Sequence, residues 1–116
     1  MKYKGSCHCG NIAFEVDGDL GEVVICNCSI CQRKGALHWA VSRDKLHLLT
    51  KPEAMSTYAF NKHVISHRFC SKCGIHTFGE GRLSRGGPEM AMINVRCLEG
   101  VEPESLRVKQ FNGRAL

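Results

Sequence analysis

Seven of the eight cysteines in this chain fall into three tight groups, and their spacing is that of metal ligands. The segment Phe69-Cys70-Ser71-Lys72-Cys73-Gly74 has the Cys-x-x-Cys-Gly form of a zinc knuckle, a tight turn that points two sulfurs at one spot, with Gly74 supplying permissive backbone behind it. Cys7-His8-Cys9-Gly10 is a second short turn with the same trailing glycine. A tetrahedral Zn²⁺ takes four donors of comparable softness, so joining the pairs gives a Cys₄ site on Cys7, Cys9, Cys70 and Cys73. A competing reading makes Cys70 and Cys73 a redox dithiol. That motif sits where a strand enters a helix, whereas Gly74-Ile75-His76-Thr77-Phe78 reads as a further strand.

The joined pairs lie 61 positions apart, so the metal closes most of the chain into a loop. Loop closure over such a span is worth only about 3–4 kcal/mol, whereas a structural zinc contributes roughly 10–16 kcal/mol. The metal is therefore expected to hold the fold outright and, being fully ligated, to offer no position to a substrate.

Cys26-Asn27-Cys28-Ser29-Ile30-Cys31 places three cysteines within six residues and has no obvious fourth ligand. Three protein ligands and a vacancy are the pattern of a catalytic zinc, which makes Cys26, Cys28 and Cys31 the candidate active site. The alternatives are a second structural site completed by a histidine or by Cys97, or three thiols that pack in a small core. His38 follows closely enough to fold back as a fourth ligand. Cys97, in an expected strand from Asn94 to Leu98, reads as a small buried apolar group and a non-ligand. His8 and His76 flank the knuckles without being needed as ligands.

The elements that must position these residues are short. Apolar or alternating segments of strand length recur at Ile12 to Val16, Val23 to Cys26, Leu37 to Val41, Leu46 to Leu49, Thr57 to Phe60, Ile65 to Phe69, Ile75 to Phe78, Met90 to Val95 and Leu106 to Phe111. Helical pieces are confined to a turn or two from Cys28 to Lys34 and to Val101 to Leu106, where Pro103 suits a first turn. The expected fold is mainly β, folded sheets around the Cys₄ zinc, in a single domain over residues 1–116.

Composition narrows the partners. With 43% hydrophobic and 23% charged residues the chain belongs among globular domains. No apolar run is long enough to span a membrane, and Met1-Lys2-Tyr3-Lys4-Gly5-Ser6-Cys7 has no apolar region after its charges, so a reducing, cytoplasmic setting is expected. The net charge is +5, and Lys62, His63, His67, Arg68 and Lys72 cluster around the late cysteine pair. Zinc-bound thiolates offset part of it, and the interleaved aromatic and basic pattern of nucleic-acid modules is missing. Nucleic acid is not the expected partner.

Taken in order, Gly5-Ser6-Cys7-His8-Cys9-Gly10, Cys26-Asn27-Cys28-Ser29-Ile30-Cys31, Arg68-Phe69-Cys70-Ser71-Lys72-Cys73-Gly74, Asn94-Val95-Arg96-Cys97-Leu98 and Phe111-Asn112-Gly113 resemble the glutathione-dependent formaldehyde-activating family, also described as the centromere-protein-V-like or Mss4-like zinc fold. Asn27 stands where that family often has histidine. The resemblance implies antiparallel sheets, a structural zinc on Cys7, Cys9, Cys70 and Cys73, and a second zinc on Cys26, Cys28 and Cys31. It also implies a carbon–sulfur lyase-type activity on the adduct of glutathione and formaldehyde, S-hydroxymethylglutathione. Arg33, Lys34 or Arg68 would then be placed to pair with glutathione carboxylates. The competing function is a non-catalytic, zinc-stabilised module that binds protein or nucleic acid.

Overall fold

The segment Ala13-Phe14-Glu15-Val16-Asp17 has bulky apolar residues at every second position, and it forms a strand whose Phe14 and Val16 are fully buried while Ala13, Glu15 and Asp17 are half-exposed. A computed structural model describes residues 1–60 and 65–115. Lys62 and His63 of the expected basic cluster therefore lie outside the described residues. In chain order the strands are β1 (Lys2–Ser6), β2 (Ala13–Asp17), β3 (Glu22–Cys26), β4 (His38–Ser42), β5 (Leu46–Leu48), β6 (Met55–Tyr58), β7 (Ile65–Cys70), β8 (His76–Arg82), β9 (Glu89–Asn94) and β10 (Arg107–Phe111). One short helix, α1 (Ser29–Lys34), joins β3 to β4.

Strands β1, β2 and β5 make a three-stranded sheet, and the others form a seven-stranded sheet in the order β10-β3-β4-β9-β8-β7-β6. The two sheets meet through Phe14 of β2 and Phe78 of β8, whose rings cross edge-on at 6.1 Å. Around them lie Ile12, Val16, Val23, Ile93 and Val95, none with measurable exposure. Burying each such side chain is worth about 1.5–3 kcal/mol, so this seam carries much of the apolar stabilisation. Gly5, paired with Phe14 in register, leaves the space for that ring: a Cβ there would stand 2.4 Å from it.

The mainly β expectation holds, with four differences in detail. Strand β1 has only Tyr3 as an apolar signal and forms because every residue of it pairs with β2. The strand expected at Thr57 to Phe60 runs instead from Met55 to Tyr58, the stretch that pairs with β7 from Cys70 back to His67. Residues Val95–Cys97 turn as a 3₁₀ helix and not as a strand, because the Asn94 side chain accepts the Arg96 N–H at 3.2 Å and bends the chain. Strand β10 runs parallel to β3, whereas the other described ladders are antiparallel. Val101 to Leu106 does turn at its proline, as a 3₁₀ helix over Pro103–Ser105. Among the described residues no helix is long and apolar enough to cross a membrane.

Candidate functional site

The two knuckles are built alike. Cys7 follows β1 directly and its N–H donates to the Ile12 carbonyl at 3.0 Å. Cys70 ends β7 and its N–H donates to the Ile75 carbonyl, also at 3.0 Å. Gly10 and Gly74 take φ of 82° and 80°, the left-handed conformation that closes each loop. The four sulfurs of Cys7, Cys9, Cys70 and Cys73 lie within 4.8 Å of one another, and all eight cysteines are free thiols. Separations of 3.7 Å for Cys7 to Cys9 and 3.6 Å for Cys9 to Cys70 are far from a disulfide bond.

Backbone N–H groups point at these sulfurs. Cys70 accepts from Lys72 and Cys73 at 3.3 Å each, and Cys7 accepts from Ile12 at 3.3 Å. The Cys73 N–H, foremost among these donors, draws the Cys70 thiol down to about 6. At Cys9 the Asn11 N–H pulls the same way, yet desolvation and the adjoining thiols carry it up to about 11. Four thiols so crowded cannot all ionise without a cation between them, and the soft donor set fits zinc.

The second cluster grows from the junction of β3 and α1. Cys26 ends the strand, Cys28 precedes the helix with extended backbone, and Cys31 lies within it. Their sulfurs also lie within 4.8 Å of one another, and the Cys28 N–H donates to the Cys26 sulfur at 3.4 Å. Burial opposes ionisation of Cys28, but N–H donors in α1 and the neighbouring thiols bring it below its ordinary value. Cys31, buried beside those sulfurs, is pushed well above its own. Three sulfurs so placed could hold a metal ion.

His38 places its Nε2 3.4 Å from the Cys31 sulfur, outside the group of mutually close ligand atoms, and its buried Nδ1 has no partner among the described residues. Cys97 joins neither cluster. Its sulfur donates to the His76 carbonyl at 3.6 Å, and burial raises its thiol to about 11.

The C-terminal segment closes over the second cluster. A Cβ on Gly113 would stand 2.6 Å from the Cys26 sulfur and 2.9 Å from the Cys28 Cβ, so the backbone there passes directly against the ligands. Asn27 secures it: its Nδ2 donates to Asn112 Oδ1 at 3.0 Å, and its Oδ1 accepts the Arg114 N–H at 3.0 Å. Arg114 Nε donates to the Asn27 carbonyl at 2.9 Å, and its guanidinium reaches Gln32. Asn27 thus serves as an anchor for this strap.

A cleft of about 790 Å³ opens beside α1, between Ile30 and Lys34 of the helix, His67 and Phe69 of β7, His76 of β8, and Cys7 and Cys97. Of the three cations expected to face a substrate, Arg33 donates to the Ser29 carbonyl at 2.8 Å, and Arg68 binds Glu80 at 2.9 Å and also Thr57. Lys34 alone of the three lines the cleft. Its Nζ lies 2.9 Å from His67 Nδ1 and 3.3 Å from His76 Nε2. Sequence reasoning missed this grouping, because α1, β7 and β8 supply one residue each and no spacing motif links them.

Burial, then the charge on Lys34, lowers His38 and His67 to about 4 and His76 to about 3, so all three rings are neutral at pH 7. Their folded values lie below those of the unfolded chain. Acidification from about pH 6.5 to about 4 therefore loads protons onto the unfolded state first, and stability falls through that window. With zinc held saturating, the melting temperature should be flat above pH 7 and decline below pH 6.5. His67→Phe, which retains a ring to stack on Phe60, should decline less steeply. Superimposable pH profiles would remove His67 from this account.

Residues 2–112 match the model of a family described as glutathione-dependent formaldehyde-activating enzyme. Among solved structures, the chain is similar to a Rhodobacter sphaeroides protein known from a crystal structure, with 32% identity and a TM-score of 0.78. The similarity covers 94% of this chain and 100% of that one.

Proposed function

The chain belongs to the glutathione-dependent formaldehyde-activating enzyme family, and from that premise we propose that it is a zinc-dependent enzyme of the carbon–sulfur lyase type. Its substrate is a small thiol–aldehyde adduct resembling S-hydroxymethylglutathione, and its reaction centre is Cys26, Cys28 and Cys31. The observation that supports this most is the convergence of three sulfurs which, among the described residues, no fourth cysteine joins. Cys7, Cys9, Cys70 and Cys73 hold a second, structural zinc.

In the synthetic direction a carbon–sulfur bond forms between the thiol sulfur and the aldehyde carbon. The carbonyl π pair moves to oxygen, and the proton given up by the thiol is balanced by one taken up by that oxygen from solvent. When bound, zinc supplies a cationic centre that favours the thiolate or polarises the aldehyde oxygen. Cys26, Cys28 and Cys31 orient that centre, with Cys28 set by the start of α1 and Cys31 one turn along it. His38, neutral at pH 7, lies against Cys31 as a polar neighbour that adds no competing charge. The strap at Gly113 covers one side of the cluster and limits access from that direction.

The test is NMR exchange between ¹³C-formaldehyde and glutathione with zinc-loaded protein. Exchange well above the spontaneous rate supports the enzyme. A rate equal to that in buffer sinks the reading and leaves the zinc-stabilised binding module.

A further inference from the structure

Lys34 is an amine in an unusual setting. It is half-buried at the end of α1, its Nζ lies 2.9 Å from His67 Nδ1 and 3.3 Å from His76 Nε2, and among the described residues no carboxylate pairs with it. Among the described residues no Asp or Glu lines the cleft either; Ile30, Tyr58, Phe69 and Ile75 face the same space. Tyr58 is 52% exposed and begins a stack of rings, with Phe60 at 5.8 Å and Phe60 in turn 5.7 Å from His67. We propose that Lys34 is a nucleophilic amine that takes carbonyl compounds with a planar aromatic body and holds them as an imine in this cleft.

The site is separate from Cys26, Cys28 and Cys31, none of which lines the cleft, and it stands whether or not that cluster is a reaction centre. A lysine paired with a carboxylate is held as an ammonium, which has no lone pair with which to attack. Lys34 instead meets two imidazoles that are neutral at pH 7 and able to accept its proton. Burial favours the free amine, against the pull of Cys31 and Cys28. The Nζ lone pair forms a bond to the carbonyl carbon, the π pair moves to oxygen, and the proton released by nitrogen reaches that oxygen through His67 or His76. From this carbinolamine the hydroxyl leaves with the second nitrogen proton as water, and the electron pair left on nitrogen closes the C=N bond. No oxidant or reductant is consumed. The walls select the rest of the molecule: a ring extending from Nζ into the cleft meets Tyr58 and Phe69, whose faces and edges favour an aromatic body over an aliphatic chain.

The experiment treats the zinc-loaded protein at pH 7 with benzaldehyde and cyanoborohydride, which reduces the imine to a stable benzylamine, and maps the modified lysines by peptide mass spectrometry. Lys34 should be benzylated about tenfold faster or more than the exposed Lys2, Lys51 and Lys109. Propanal in place of benzaldehyde should lose most of that excess. His76→Phe, which keeps a ring but removes the proton acceptor, should slow the labelling of Lys34 and leave the exposed lysines as they were, and His67→Phe supplies the same comparison on the other ring. Labelling of Lys34 no faster than that of the exposed lysines overturns the proposal in the wild type, without any variant. An excess as large with propanal overturns the aromatic selectivity. An unaltered Lys34 rate in both folded variants removes the imidazoles from the step.

Discussion

Cys70→Ser protein should lack native structure at 25 °C, and a strong chelator should bring the wild type to the same state. Cys70 is buried at the end of β7, and its sulfur is the focus of hydrogen bonds from Lys72 and Cys73. Through its site it ties β7 to the loop that follows β1. Domains of this size are stable by roughly 5–15 kcal/mol in all, and a structural zinc contributes about 10–16 kcal/mol. Loss of the metal therefore removes as much free energy as the whole fold has to spare. Far-UV circular dichroism beside zinc content checks this. A metal-free protein that retains native ellipticity and a cooperative melt would show that the apolar seam between Phe14 and Phe78 suffices alone.

The second large effect concerns the other cluster and is of a different kind. Cys28→Ser should lower the zinc content from two per chain to one while leaving the domain folded, because the structural ligands and the seam between the sheets are untouched. Cys28 is half-buried and packs against the strap rather than inside the core. Gly113→Ala reaches the same cluster from outside: its new methyl would meet the Cys26 sulfur at 2.6 Å, so either the strap lifts or the ligands shift. It should weaken zinc retention in the second site by about tenfold or more, with a melting temperature close to that of the wild type, since residues 112 to 115 bury little apolar surface. Native mass spectrometry reads the stoichiometry directly. Two zinc ions per chain in folded Cys28→Ser would remove Cys28 from the ligand set.

The knuckles were legible in the sequence because ligands two or three residues apart announce themselves locally, and the count of four soft donors joins Cys7 and Cys9 to Cys70 and Cys73 without knowledge of the sheets. Most strands were legible for a similar reason: a period of two over Ala13–Asp17 is visible from the residues alone. What could not be read depends on register. Lys34 meets His67 and His76 only because β7 and β8 pair with a shift between Arg68 and Phe69, which sets Phe69 opposite His76. The role of Gly113 was hidden likewise, since β10 lies beside β3 by a parallel pairing between residues more than eighty positions apart. Strand β1 was overlooked because its inward position opposite Phe14 is a glycine, chosen for the space it leaves.

That chemistry belongs to Cys26, Cys28 and Cys31 and not to the closed four-cysteine site is tested most directly by formaldehyde–glutathione exchange in folded Cys28→Ser beside the wild type, at equal protein concentration and with zinc in excess. The expected result is a fall to the spontaneous rate with the fold intact. Exchange at the wild-type rate in that variant would place the chemistry elsewhere in the molecule.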